Sequence, residues 1–328
     1  MANVAVGKPW ASHATWILAG ITAGATFLAG LSLAGGLVQL PRSQPAALGA
    51  GIMATGLVAA TLASRPVRER LARVLPIDPD NPVHANALVL AVVFFGSQLS
   101  IIAFTDTLAV DQASPPVAIA DIVASEVPFL VLALAGVGLY IRRNFAAAAL
   151  RLGVMRPTWW QVAMALAAAG AFFAFIQGVD QLSQVVTPQV AGQVEKTTVH
   201  MYGRILSDPL GVAALALLPG ICEEILFRGA LQPRIGLIAT AALFTSIHTQ
   251  YGLSFDTLSI LVVAVGLGLI RKYANTTTSG ICHVTYNLLA AIGIAGGLLG
   301  VAAGVEVVLI AVSAYAVWSN RRRPLAVP

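Results

Sequence analysis

Long apolar runs separated by short polar breaks dominate the chain. The runs are solid blocks of Ala, Leu, Val and Gly, with no apolar–polar alternation of period two. Alternation would mark the strands of a membrane barrel, so unbroken blocks predict helices. Ten candidate spans fall near residues 14–40, 46–64, 84–104, 117–141, 158–181, 209–227, 235–251, 255–271, 276–294 and 296–318. A run of about 20 apolar residues crosses a bilayer. The predicted fold is therefore all-α: a polytopic helical membrane bundle of about ten transmembrane helices. Nine is the alternative, because only a Gly-rich stretch around Gly296 and Gly297 divides the last two runs. Spans seven and eight are short enough to tilt or re-enter. The polar stretch 182–208 reads as an outer loop with a short interfacial helix, and PIDPDNP (76–82) as a turn region.

Composition agrees with the pattern. The chain has 328 residues, 58% hydrophobic and 10% charged, against about 25% charged in a soluble domain. The first run is too long for a signal-peptide core and lacks a clear cleavage site, so it reads as a retained span. The two cysteines, Cys222 and Cys282, lie in apolar segments and suggest small buried residues, with no disulfide framework.

Net charge is +5, and its distribution carries the information. With the N-terminus in the cytoplasm and ten alternating spans, every Lys and Arg except Arg42, Lys196 and Arg204 falls on the cytoplasmic side. This is the positive-inside pattern, and it predicts cytoplasmic N- and C-termini in a multi-pass protein of the cell membrane. The lipid bilayer is then the first partner. No basic domain outside the membrane exists to hold nucleic acid.

An ionisable group inside a span costs roughly 2.5–3.5 kcal/mol and is a functional candidate by default. Such groups concentrate in the second half of the chain. GICEEILFRG (220–229) carries Glu223, Glu224 and Arg228; FTSIH (244–248) carries Phe244 and His248; HVTYN (283–287) carries His283 and Asn287. Asp121, Glu126 and Glu306 stand apart from them. Glu224 and Arg228 are four apart and share a helix face, which fits a structural ion pair as well as a catalytic one. Glu223 points about 100° away, so its partners must come from other helices, and a lone buried carboxyl suits a general base. Phe244 reads equally as packing, His248 as a core histidine and Asn287 as helix–helix glue. Together, one Glu, two His and one Asn form a candidate water-activating site. Its depth would be roughly 8–12 Å from the cytoplasmic surface at ~1.5 Å per residue.

These segments have the forms E-E-x-x-x-R, F-x-x-x-H and H-x-x-x-N, in that order. In this they resemble the CPBP family: CAAX prenyl endopeptidases of the Ras-converting type and bacteriocin-processing or immunity proteins. RLGVMRP (151–157) is similar to the L-G-x-x-x-P element preceding that family's core. The resemblance covers roughly 150–295. It divides the chain into an N-terminal membrane module of about four helices (1–145), a protease-like core (146–295) and a C-terminal helix with a basic tail (296–328).

The resemblance implies an intramembrane endopeptidase acting on a peptide or protein substrate near the cytoplasmic face. Glu223 would activate the attacking water, Glu224 and Arg228 would hold that water or Glu223, and His248 would help bind the water or a metal. His283 and Asn287 would stabilise the oxyanion. Family members are described as metalloproteases and as glutamate-dependent proteases. Glu223, His248 and His283 would be the ligands if a metal, zinc above all, is present. No H-E-x-x-H occurs, and the balance leans against a required metal. Two other readings fit the same cluster: a non-catalytic membrane immunity or scaffold protein, and a proton-coupled transporter using its buried carboxylates.

Overall fold

The computed structural model describes residues 1–294 and 296–321. The predicted basic tail beyond Arg321, with Arg322 and Arg323, lies outside the described residues. Among these, the elements are helices joined by short connections. The first half contains α1 (Ala2–Ala5), α2 (Ala11–Ala34), α3 (Pro45–Thr61), α4 (Arg65–Leu71), α5 (Pro82–Phe104), α6 (Thr107–Ala113), α7 (Ile119–Val137) and α8 (Phe145–Leu152). The second contains α9 (Trp159–Val186), α10 (Pro188–Leu206), α11 (Pro209–Glu223), a π-helical segment (Glu224–Leu231), α12 (Gln232–Ile235), α13 (Leu237–Ser246), α14 (Phe255–Tyr273), α15 (Thr276–Ile292) and α16 (Leu299–Arg321).

The chain is a multi-pass membrane protein, and helices of spanning length and composition are fewer among the described residues than the apolar runs. Six helical segments among the described residues are long and apolar enough to cross a bilayer: α2, α5, α7, α9, the run Pro209–Ile235, and Gly296–Ser319. A seventh is added if α3 and α4, bent by 90° at their junction, count as one. Three expected spans fall short. α13 has 10 residues, α15 has 17, and α14 carries Asp256, Arg271 and Lys272 at its ends. An apolar run reports burial, whether in lipid or in protein, and a 10-residue run such as α13 suits a protein core better than a bilayer span. Spans nine and ten are separate helices, broken after Ile292.

The stretch 182–208 also differs from expectation. α9 continues to Val186, and α10 then runs for 19 residues from Pro188. Its sequence is polar, yet Val194, Thr197 and Ile205 bury one side of it. Gln112 on α6 donates to Thr197 at 2.8 Å, so tertiary packing stabilises a helix that mean polarity disguises.

Helix starts follow local chemistry. Asn81 accepts from Val83 N at the head of α5, Asp208 from Leu210 N at α11, Ser254 from Asp256 N at α14 and Asn275 from Thr278 N at α15. Each satisfies a backbone donor that a helix N-terminus leaves open. PIDPDNP forms the expected turn, and Arg65 holds Asp80 there at 2.7 Å. That guanidinium keeps the Asp80 carboxyl below its usual range.

One hydrophobic core runs across the boundary near residue 145. It joins Ala19, Ala59 and Leu88 of α2, α3 and α5 to Ala133 of α7, Phe227 of the π segment, Phe244 of α13 and Ile260 of α14. A second cluster binds α9, α14 and α15 through Ala165, Leu267 and Cys282. The π segment thus sits at the junction of both halves, packed against α7, α8, α13, α14 and α15.

Candidate active site

The site forms where α11 ends and meets α15. Pro219 lies inside α11, and a proline lacks the N–H that would bind the carbonyl four residues back. That carbonyl belongs to Leu215, and Asn287 Nδ2 of α15 donates to it at 3.4 Å. One residue on, Gly220 lets the helices approach closely. A Cβ at this position would stand 2.9 Å from Val284 N and 3.1 Å from Val284 Cα. Small residues of this kind permit backbone-to-backbone packing within membranes. Immediately afterwards the chain enters the π segment at Glu224. Such widened turns recur at functional sites.

Around this crossing, Glu223, Glu224, Arg228 and His283 are all buried. Glu224 is richly partnered. Arg228 Nη1 stands 2.9 Å from its Oε1, as an ion pair without hydrogen-bond alignment. His283 Nδ1 donates to the same oxygen at 3.0 Å, and Ser279 Oγ donates to Oε2. The expected Glu224–Arg228 pair is therefore present, within a π-helical turn and as part of a four-residue network.

Glu223 contrasts with its neighbour. Its Oε2 is buried with no hydrogen-bond partner. The facing group is His283 Nε2, at 3.9 Å. This agrees with the expectation that its counterpart comes from another helix. A second carboxylate stands on a neighbouring helix: Glu126 of α7, which packs against α11, is buried with its Oε2 unpartnered.

Phe244 joins the remaining pieces. Arg228 Cζ lies 4.2 Å from its ring centroid, a cation–π arrangement. His248 packs on the ring at 4.8 Å and His283 meets it edgewise at 5.9 Å. His248 Nδ1 donates to Phe244 O at 2.9 Å. A carbonyl only accepts, so Nδ1 carries the proton and Nε2 keeps the lone pair in the neutral ring. Asn287, one turn beyond His283, contacts this network through the α11 backbone only. Cys222 and Cys282 are free and buried, as expected.

The donor set does not gather for a metal. Among the described residues, no three His, Cys, Asp or Glu side chains stand together as a metal-binding group. His248 and His283 both pack against the Phe244 ring, and Glu223 faces His283. The structure therefore provides no basis for a step through zinc.

Sequence reasoning overlooked Ser279. The signal was available: Asn275, Ser279, His283 and Asn287 recur every four residues along α15, so they share a face. It also treated Glu126 as isolated, since nothing in sequence ties α7 to α11.

RLGVMRP acts as a clamp on α15. Gly153 ends α8 with φ of +72°, a conformation glycine adopts freely. Leu152 O accepts from Thr276 Oγ1 at 2.6 Å and Gly153 O from Thr276 N at 3.0 Å. The helix bearing His283 is thereby fixed at its first turn.

No curated protein and no solved structure matches the chain. A family model does: residues 204–289, which include every member of the cluster except Glu126, match the type II CAAX prenyl endopeptidase Rce1-like family.

Proposed function

We propose that the protein is a glutamate-dependent intramembrane endopeptidase of the cell membrane. The observation that carries this reading is the buried Glu223 carboxylate, unpartnered and directed at His283 Nε2, within the segment similar to that protease family. Glu223 takes a proton from water as the water oxygen attacks the scissile carbonyl carbon, and the proton passes to the leaving amine as the C–N bond breaks. His283 presents Nε2 to the reacting group, because Nδ1 is committed to Glu224. With Nδ1–H donating to Glu224, a second proton on Nε2 makes the ring an imidazolium, which then donates to the oxyanion. Glu224, Arg228 and Ser279 are positioning residues that orient His283. Asn287 assists from the same face of α15, and His248 Nε2 offers a lone pair to the water. The substrate is a peptide or protein reaching the site from the cytoplasmic face.

The test compares membrane peptides from cells carrying wild-type or Glu223→Ala protein. Loss of specific cleavage products with a folded variant is expected. Full retained cleavage by Glu223→Ala refutes the reading. Metal analysis of active purified protein is expected to show no stoichiometric zinc, and stoichiometric zinc required for cleavage overturns the glutamate-dependent form.

A further inference from the structure

Outside the proposed active site, a cavity of about 420 Å³ opens between α1, α5, α7 and the π segment. Its size falls within the roughly 300–1,000 Å³ of small-molecule sites. The lining is sharply divided. Leu90, Phe94, Phe129, Leu132 and Phe227 form an apolar interior. Arg142, Arg143, Arg151 and Arg234 line the mouth, with His84. Along α5, ten residues separate His84 from Phe94, about 15 Å at ~1.5 Å per residue. The cavity therefore has the proportions of an amphiphile: a charged end and a long apolar end.

At the cationic mouth one carboxylate, Asp78, acts on His84, and it forms no ion pair there. None of the four arginines forms an ion pair with a described carboxylate; the ion pairs present involve Arg65, Arg228 and His283. Their hydrogen bonds go to carbonyls: Arg143 to Val137 O, Arg151 to Gly229 O and Arg234 to Pro76 O. Burial and the neighbouring guanidiniums push Arg151 down to about 10, so it stays charged at neutral pH and uncompensated. His84 Nδ1 accepts from Asp78 N at 2.9 Å, which places the ring proton on Nε2 and adds a donor. Asn3, also in the lining, is buried with Oδ1 unpartnered. The site thus offers several donors and one acceptor without ligands, at helix ends where lipid headgroups lie.

We propose that this cavity binds an anionic phospholipid, its phosphate among Arg142, Arg143, Arg151 and Arg234 and one acyl chain between α5 and α7. Guanidiniums bind phosphate oxygens through paired N–H donors. An apolar interior fixes the chain, which free phosphate lacks. The proposal is independent of the protease reading, since none of these residues belongs to the catalytic cluster.

The experiment uses the full chain, purified and delipidated in a neutral detergent, with thermal unfolding followed on addition of phosphatidylglycerol, phosphatidylcholine or inorganic phosphate. Phosphatidylglycerol is expected to raise the midpoint saturably, while the other two do not. An Arg142→Gln/Arg234→Gln variant is expected to weaken the apparent affinity about 30-fold, from about 1 kcal/mol per basic residue at an anionic lipid surface. Leu132→Trp fills the chain region and is expected to reduce the phosphatidylglycerol effect without touching the arginines. Equal stabilisation by phosphatidylcholine overturns the proposal in favour of an apolar groove. Equal stabilisation by inorganic phosphate overturns it in favour of a plain anion site. An unchanged affinity in the arginine variant also overturns it. Should that variant fail to fold, Leu132→Trp and loss of the shift at high salt decide the same question.

Discussion

Adjacent carboxylates, Glu223 and Glu224, should respond oppositely to the same substitution. Glu224 accepts from His283 and Ser279 and faces Arg228 at 2.9 Å. The gross attraction of that ion pair is about 6 kcal/mol at an effective dielectric near 20. Much of it offsets the desolvation of both groups, so the pair adds little net stability. Breaking it by removing one partner is different, because a buried guanidinium is then left uncompensated. Glu224→Gln is expected to destabilise by about 3–5 kcal/mol. Glu223 has no hydrogen-bonded partner on Oε2, and His283 faces it only at 3.9 Å, so Glu223→Gln deletes a buried charge that its surroundings compensate weakly. Its stability is expected within about 1 kcal/mol of wild type, or above it. A gap of at least 2 kcal/mol is more than tenfold in the unfolding equilibrium. Unfolding of both variants in identical micelles, by circular dichroism, reads that gap. Cleavage assayed in parallel should be lost in Glu223→Gln despite its stability. Equal destabilisation of both variants, or a larger loss for Glu223→Gln, would refute the division between a structural and a chemical carboxylate.

Three further outcomes follow from the same geometry. Gly220→Ala drives a Cβ into the Val284 backbone and should cost about 1–3 kcal/mol; it should also depress cleavage by widening the 3.9 Å gap between Glu223 and His283, as activity normalised to folded protein reports. Phe244→Ala removes the ring that touches Arg228, His248 and His283, with an expected loss of about 3–5 kcal/mol; Phe244→Leu should recover a large part of the stability. Asn287→Ala should destabilise by roughly 1 kcal/mol in the native background and less in Pro219→Ala, where an alanine N–H can reach Leu215 O. A double-mutant cycle measures that difference, and strict additivity would show that Asn287 does not serve this carbonyl.

The solvent, the element type and the chemically distinctive residues are legible in the amino-acid order alone. Unbroken apolar blocks need helices, because lipid offers backbone groups no hydrogen bonds. Charge placed inside such blocks singled out Glu223, Glu224, Arg228, His248 and His283, since burial without function is costly. Helical spacing even separated Glu224, able to reach Arg228, from Glu223. Tertiary structure decided the rest. It showed that α13 and α15 are shorter, and α14 more charged at its ends, than a helix with the length and composition of a span. It brought Ser279 to Glu224, the α7 helix of Glu126 against α11, and Asn287 to a carbonyl opened by Pro219. The two side-chain contacts join residues 55 and 72 positions apart. Local pattern encodes which face of a helix is buried; which helix lies against that face is set by the packing of the whole chain.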